Sequence, residues 1–448
     1  MQEPVEIDVD EHVEVVERVA AIDVAKATGM ICTRVPHDSV AGRRVTKVWE
    51  VKSTTAAILE LADHLVCQSV QRVVLESTGD YWRPFYYVLE ARGLTVWLVN
   101  ASQVKHAPGR PKSDKIDAVW LAKLNERNMV SPSFVPPAQI RRLRDWTRAR
   151  YDLVADRTRV KLRIEKLLED ALIKLSCVAT DMFGVSGRAM MDALVAGRRN
   201  PRELAELAKA RMRTKRGELA EALDGRFTDH HADLLAVLLA QYDHLNTAIE
   251  TVTTRIDELI ADLPAAAAPP LPQTDPPAGP GESAAYLAAV DRLCEIPGVG
   301  PGTARTIIAE VGLDMSVFGT AQRLCAWARV APATKQSGRR KPTGKTGKGN
   351  PYLKSVLGEA ATAAAKTQSF LGERYRRLVK RMPKGKARTA IARSILTIVF
   401  ALLNDPTTRY HDLGTDFYAR HLDTRRRTDQ LVRGLQALGY KVTVEPAA

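Results

Sequence analysis

The sequence has few cysteines, and they do not form a recognisable framework. Its 448 residues include five Cys, which lie far apart without a C-x-x-C pair or clustered His. This spacing excludes a disulfide scaffold and a structural zinc site. A basic and then apolar signal pattern is missing at the amino terminus, and no run of about 18 apolar residues occurs. We therefore expect a cytoplasmic protein without a membrane partner.

Acidic residues are in deficit over most of the chain. Lys and Arg number 66 against 52 Asp and Glu, a formal net charge of +14. This excess favours a polyanionic partner, nucleic acid first. The exception is the segment 1–17, which carries seven acids and no Lys or Arg. It predicts an acidic tail, which is either an inert leader or a screen over a basic groove.

The next segment, 18–137, alternates short β-branched runs with amphipathic stretches. The runs VAAID, GMICTRV and RVTKVWEV come first, and two further strands then alternate with three helices. The predicted order is βββαβαβα. An antiparallel trio extended by βα units is the order expected of a ribonuclease H or RuvC-like nuclease core. The predicted fold class is therefore α/β in this domain and α in the rest of the chain.

Four acids stand where these elements end or begin. Asp23 ends the first strand and Glu76 ends the fourth, while Asp114 and Asp117 are spaced i, i+3 at the start of the third helix. Clustered carboxylates stay ionised together only around cations, and hard oxygen ligands select Mg²⁺ or Mn²⁺. The pattern predicts a site for two such ions about 4 Å apart. Alternatively, Asp114 could simply cap its helix.

A polar loop between Ser102 and Lys115 adds positive charge beside these acids. Its cations predict a rim for phosphates. They are Lys105, Arg110, Lys112 and Lys115. His106 in the same loop is either a proton donor or a solvent-exposed side chain.

The segment 138–263 reads as long helices. A heptad seam runs from Leu235 to Leu263, and a second apolar stripe runs from Val160 to Leu175. These helices predict a coiled-coil region that pairs either within one chain, as an antiparallel hairpin, or between chains of a homo-oligomer. The stretch 184–225 breaks the seam and predicts short helices. Residues 264–283 are rich in Pro, Ala and Gly and predict a semi-rigid linker.

The predicted C-terminal domain, 284–412, opens with the motif IPGVGPGTA. Its glycines, Gly298, Gly300 and Gly302, predict a helix-hairpin-helix whose turn directs backbone N–H groups at a DNA phosphate, although a purely structural hairpin is the alternative. A basic segment from Lys335 to Lys354 follows, with four Gly, no acid and a single Ser at Ser337. It suits a phosphate backbone. Its predicted contacts are Lys335, Arg339, Arg340, Lys341, Lys345 and Lys348. Residues 413–448 form an extension.

Together these motifs resemble the DEDD transposases of bacterial insertion sequences, the insertion sequence 110 family. The likeness joins AAIDVAK, VVLESTGDYW and KSDKIDA to IPGVGPGTA and to an SG pair followed by K-G-N-x-x-L. It implies that Asp23, Glu76, Asp114 and Asp117 bind divalent metal and that Ser337 is a catalytic serine. It also implies a recombinase guided by a structured bridge RNA that pairs with donor and target double-stranded DNA. A dimer or tetramer bound to the bacterial nucleoid is the expected assembly.

Three functions follow as hypotheses. In the first, Ser337 attacks the scissile phosphodiester and forms a phosphoserine, with the metals activating it if the two domains meet and the neighbouring cations holding the phosphate. In the second, the chain is a metal-dependent junction resolvase or nuclease that uses water, and Ser337 only contacts phosphate. In the third, it is a non-enzymatic nucleic-acid scaffold.

Overall fold

The computed structural model describes residues 15–77, 79–100, 113–269, 287–332, 346–421 and 424–444. The chain divides into two compact units, Met1–Val135 and Pro136–Ala448. The first unit contains a mixed β-sheet with helices, and the described residues of the second are helical.

The first unit is built on a five-stranded sheet. Its strands are β1 (Val19–Val24), β2 (Thr28–Pro36), β3 (Arg44–Lys52), β4 (Arg72–Ser77) and β5 (Val96–Val99). The order is β3-β2-β1-β4-β5, with antiparallel pairing from β3 to β1 and parallel pairing from β1 to β5. The helices are α1 (Thr55–Cys67), α2 (Trp82–Ala91) and α3 (Asp114–Glu126). The predicted βββαβαβα order and the RuvC-like fold class are confirmed.

Strand alternation divides the side chains of this sheet between two faces. Ile22 and Leu75 lie in a core with α1 and α2, which contribute Ile58 and Phe85. On the other face, Ala21 of β1 and Val74 of β4 pack with Ala118 and Leu121 of α3. The sheet is thus covered on both faces, and α3 lies across β1 and β4.

The described residues of the second unit form mostly helices. They are α4 (Ala138–Asp170), α5 (Leu175–Val178), α6 (Val185–Val195), α7 (Pro201–Glu206), α8 (Arg216–Ala222), α9 (Asp229–Ala261), α10 (Ala289–Cys294), α11 (Pro301–Val311), α12 (Ala321–Trp327), α13 (Pro351–Ala364), α14 (Phe370–Val379), α15 (Lys384–Asn404), α16 (Phe417–Arg420) and α17 (Thr424–Ala437). Two 3-10 helices cover Ala210–Lys215 and Pro264–Ala266.

Helices α4 and α9 form one long antiparallel hairpin. The Arg150 Nε donates to Thr253 Oγ1 (2.7 Å). About two turns further along α4, the Arg157 guanidinium donates to Asn246 Oδ1 (2.9 Å). The residue number rises on one helix as it falls on the other, so the helices run in opposite directions within a single chain. Of the two arrangements that the seam allowed, this is the intramolecular one. Helices α5 to α8 pack at its far end.

Helix α15 is the central helix of the C-terminal part. By length and composition it is apolar enough to span a membrane, the only such helix in the described ranges. Its apolar residues Ile391, Ile395, Leu396 and Val399 are fully buried within the second unit. It therefore serves as a core helix, as its sequence predicts.

Candidate catalytic site

Asp23 and Glu76 lie side by side at the ends of adjacent parallel strands. They are register partners in the pairing of β1 with β4. Asp23 is two residues after Ala21, and Glu76 is two residues after Val74. Residues two apart on a strand point to the same face, so both carboxylates belong to the sheet face that α3 covers. Both are partly buried. The sheet alone therefore brings two carboxylates to one edge and one face.

Helix α3 brings the other two acids to this face. Asp114 precedes Ala118 by one turn, and Asp117 precedes Leu121 by one turn; Ala118 and Leu121 pack on the sheet. The Ser113 hydroxyl oxygen accepts a hydrogen bond from the Ile116 N–H (3.4 Å), so Ser113 is the N-cap. The alternative that Asp114 caps the helix is wrong, because Asp114 is the first helical residue.

A buried hydrogen-bond clamp sets the direction of α3. Asn125 is 0% exposed, and its Nδ2 donates to the carbonyl oxygens of Ala20 (3.0 Å) and Arg72 (3.2 Å) at the starts of β1 and β4. In return, the Arg72 guanidinium donates to Asn125 Oδ1 (2.6 Å) and to its carbonyl oxygen (2.7 Å). Its planar group also stacks on the Trp97 ring, 4.0 Å from the centroid. Sequence reasoning missed this clamp, because no local motif pairs a strand Arg with a helix Asn.

The clamp fixes which end of α3 meets the acidic strand ends. Asp117 is two turns before Asn125, roughly 12 Å along the helix. Asp23 lies three residues after Ala20, roughly 10 Å along the strand. Helix α3 therefore runs against β1 and β4 and places its first turn at the level of Asp23 and Glu76. The structure brings all four predicted acids to one end of one sheet face.

The donor chemistry of this site fits a hard divalent cation. Four carboxylates offer oxygen ligands only, which Mg²⁺ and Mn²⁺ prefer. Among the described side chains, no three His, Cys, Asp or Glu are already grouped as a metal site. The strand register and helix α3 thus position the four acids at one end of the sheet face.

Most of the predicted phosphate contacts fall outside the described residues. These are Ser337, Lys335, Arg339, Arg340, Lys341 and Lys345 in the basic segment, and Lys105, His106, Arg110 and Lys112 in the earlier loop. Lys115, on the first turn of α3, and Lys348 are both exposed to solvent.

The IPGVG motif forms the glycine turn between helices α10 and α11. Gly298 has a φ of 89°, and an added Cβ would lie 2.4 Å from the Ala360 carbonyl oxygen and 2.6 Å from the Ala364 N of α13. Gly298 therefore has a packing role. Gly300 is the N-cap of α11, and an added Cβ at Gly300 or Gly302 meets no atom within 4 Å. These two glycines leave the N-terminus of α11 open.

A buried glutamate anchors the C-terminal end of the basic segment. Glu310 of α11 is 0% exposed, and Arg148 of α4 donates to both of its carboxylate oxygens (2.8 and 2.9 Å). The Nδ2 of Asn350 donates to the same carboxylate (2.5 Å), while its Oδ1 accepts from the Tyr352 and Leu353 N–H groups and caps α13. Glu310 thus joins three elements. The sequence holds no local signal for it, since Arg148 and Glu310 are 162 residues apart.

Two glycines and a lysine complete this anchor. Gly349 has a φ of 61°, and an added Cβ would lie 2.8 Å from the Ala328 carbonyl oxygen. The Lys354 Nζ donates to the Gly347 carbonyl oxygen (2.9 Å). The K-G-N motif therefore holds the C-terminal end of the basic segment against α12 and α13.

Comparison with solved structures finds RuvC of Thermus thermophilus. One RuvC structure has 15% sequence identity, covers 26% of this chain and 99% of its own, and gives a TM-score of 0.21. A second, T. thermophilus RuvC in complex with a Holliday junction substrate, has 14% identity with the same coverage and TM-score. No curated protein matches the chain.

Two family models match the chain. A DEDD transposase model of the IS110 type, described as "Transposase", matches residues 20–173 and so includes all four acids. A model described as "Transposase IS116/IS110/IS902 family" matches residues 290–376, which include the glycine turn between α10 and α11 and the basic segment. Both models describe the same kind of enzyme, and together they span more than half of the sequence. The chain therefore belongs to the IS110 family of DEDD transposases, enzymes of DNA strand transfer.

Proposed function

We propose that the protein cuts and rejoins DNA strands through a phosphoserine intermediate at Ser337, with help from divalent metal and with an element-encoded RNA as guide. The observation that carries the proposal is the register pairing of Asp23 with Glu76 under the first turn of α3. Four carboxylates that converge on one end of one sheet face offer oxygen ligands to a divalent cation. They suit an enzyme of phosphodiester chemistry better than a scaffold.

Asp23, Glu76, Asp114 and Asp117 are the residues that would hold Mg²⁺ or Mn²⁺, two ions in a site. When bound, such ions stabilise the charge on the attacking and leaving oxygens of a phosphodiester. The clamp of Asn125 and Arg72 holds α3 in register with the strands, so it fixes where two of the four ligands stand.

Ser337 supplies the nucleophile in this mechanism. A bond forms between its Oγ and the phosphorus, the bond between phosphorus and the leaving strand oxygen breaks, the serine proton is lost to solvent and the leaving oxygen gains a proton. The phosphoserine conserves the bond energy. A hydroxyl of the receiving strand then attacks the phosphorus, which restores the serine and joins the strands.

The cations of the basic segment would hold the phosphate during this exchange. Lys335 and Lys341 would act as point charges, while Arg339 and Arg340 can bind two phosphate oxygens at once. Lys345 and Lys348 would position the flanking DNA. The anchor at Glu310 and Asn350 supports this role, because it fixes one end of the segment to the helical unit.

RNA guidance draws its support from the family and from the net charge of +14. A guide that pairs with donor and target DNA would relieve the protein of reading sequence. We expect a homo-oligomer that works on DNA in the cytoplasm. Sequencing of the RNA that co-purifies with the protein tests this part: one structured species from the element's own flank supports it, and a random RNA population contradicts it.

The decisive experiment is a search for a protein–DNA adduct on donor DNA with guide RNA and Mg²⁺. We expect a covalent species in the wild type that is lost in Ser337→Ala and in Asp23→Asn. An adduct that persists in Ser337→Ala removes the serine from its role. Cleaved DNA with free ends and no adduct in the wild type indicates a hydrolytic nuclease instead.

A further inference from the structure

A cationic groove lies between α13 and α15 of the second unit. It encloses about 620 Å³ and is lined by Lys354 and Lys366 from the α13 side and Arg388 from α15. Val330 also lines it. Val330 precedes the basic segment in the sequence, and Lys354 is the last residue of the segment. We refer to this feature as the α13–α15 groove.

The cations of the groove outnumber its acids, and the structure shows no ion pair for them within the residues it describes. Lys366 and Arg388 are exposed, and neither forms an ion pair within the described ranges. Lys354 bonds a neutral carbonyl oxygen, that of Gly347. Glu359 is the one acid among the lining residues, and it accepts a hydrogen bond from the Ser355 hydroxyl (3.3 Å). The groove therefore presents a net positive charge to solvent.

Two helical glycines also line the groove, and neither crowding nor backbone conformation requires glycine at these positions. Gly358 lies inside α13, and Gly385 is the second residue of α15. An added Cβ at either position meets no atom within 4 Å, and neither residue has a positive φ. A glycine inside a helix costs up to about 1 kcal/mol relative to alanine. The missing Cβ atoms widen the groove, and a bound backbone can approach both helices closely.

We infer that the α13–α15 groove binds the sugar-phosphate backbone of one DNA strand. Positive charge without acidic partners favours phosphates, and the two glycines leave room for a chain that passes between the helices. The choice of DNA over RNA rests on the proposed function, because the segment between Val330 and Lys354 carries the serine that would attack DNA. The groove would hold one strand of the DNA on which the enzyme acts.

The charge test uses the full chain and fluorescence anisotropy with a labelled DNA strand, its duplex and an RNA of the same sequence. We expect the double variant Lys366→Gln/Arg388→Gln to weaken DNA binding about tenfold and to lower the salt slope of log K by about two. The matched control is Arg211→Gln/Arg213→Gln, which removes two exposed cations near the far end of the hairpin. Equal losses in both double variants, or a loss for RNA alone, would overturn the inference.

The glycine test separates binding from folding. Gly358→Ala and Gly385→Ala should keep or raise the melting temperature, because alanine favours the helix, and should weaken DNA binding severalfold. The control is Gly217→Ala: Gly217 is the second residue of α8 and also has no atom within 4 Å of an added Cβ. It should gain stability and bind DNA as the wild type does. Unchanged DNA affinity in both groove variants would sink the idea.

DNA binding by the α13–α15 groove can be tested separately from the chemistry at Ser337. The Ser337→Ala variant should lose the covalent adduct and keep the groove's affinity for DNA. Failure of the groove inference would leave the adduct intact, and failure of the serine mechanism would leave the groove's salt slope unchanged.

Discussion

Arg148 and Glu310 share two hydrogen bonds, 2.8 and 2.9 Å long, inside the second unit. The carboxylate is completely buried, and the Arg148 guanidinium also lies over the Tyr352 ring, 4.7 Å from its centroid. One ion pair thus connects the long hairpin to the helix that follows the glycine turn and to the helix that follows the basic segment.

Removal of the Glu310 charge should destabilise the second unit. Glu310→Gln leaves Arg144 and Arg148 without their common partner, and loss of one member of a buried pair costs about 3 to 5 kcal/mol. Chemical denaturation should show this loss. The control is Glu373→Gln, whose partner Arg376 is one turn away on the same helix and partly exposed. Glu373→Gln should cost less than about 1 kcal/mol of the free energy of unfolding. If both variants lost the same stability, Glu310 would not hold the three elements together.

Metal binding should raise the melting temperature of the protein, which can be measured without an assay of activity. We expect Mg²⁺ or Mn²⁺ to raise the melting temperature of the wild type, because the ions offset repulsion among the four acids. In Asp23→Asn and Glu76→Gln this rise should shrink or disappear. Asp80→Asn is the control, since Asp80 is 77% exposed and pairs with Arg83. A metal-dependent shift that survives in both Asp23→Asn and Glu76→Gln would place the ions elsewhere.

The glycine turn offers a test with opposite signs at two nearby positions. Gly298→Ala places a Cβ 2.4 Å from the Ala360 carbonyl oxygen at a φ of 89°, so it should cost at least about 2 kcal/mol. Gly302→Ala adds its Cβ to open space within α11 and should gain up to about 1 kcal/mol. Urea unfolding of both variants checks the prediction. A neutral Gly298→Ala would mean that α10 and α13 are less tightly packed.

Acid should loosen the contact between α6 and the long hairpin. Hydrogen bonds from Arg188 (2.5 and 2.7 Å), aided by its charge and opposed by desolvation, lower the pKa of Asp243. A lowered folded-state pKa contributes stability above the unfolded value, about 3.9, and this contribution is lost as the pH falls through the folded value. Below about pH 5, unfolding should depend less on pH in Arg188→Gln, by up to about 1 kcal/mol because the pair is partly exposed.

The matched variant for this experiment is Arg255→Gln, which removes an exposed pair with Glu258 on the same helix. Its pH dependence of unfolding should follow the wild type more closely. If both variants changed the acid limb equally, general charge effects would account for the result.

The sequence predicts the first unit well because its strands and site acids are indicated by residues that are close together in the chain. β-branched runs give the strands, and strand ends give Asp23 and Glu76, whose register follows from parallel pairing. Asp114 stands at the start of the third helix as predicted, and the alternative that it caps the helix is wrong because Ser113 is the N-cap. What the sequence cannot supply are partners far apart in the chain. Asn125 meets Ala20, and Glu310 meets Arg148, through packing that no nearby residue announces.

The hairpin of α4 and α9 also has a mechanical consequence. Its base is fastened to α11, because Arg144 donates to the Ala309 carbonyl oxygen (3.1 Å) and Arg148 binds Glu310. A helix of this length extends roughly 50 Å. The contact with α11 is therefore the point about which any rotation of the hairpin would be amplified at its tip. A rotation of about 6° at this contact carries the tip about 5 Å, on the order of one helical turn.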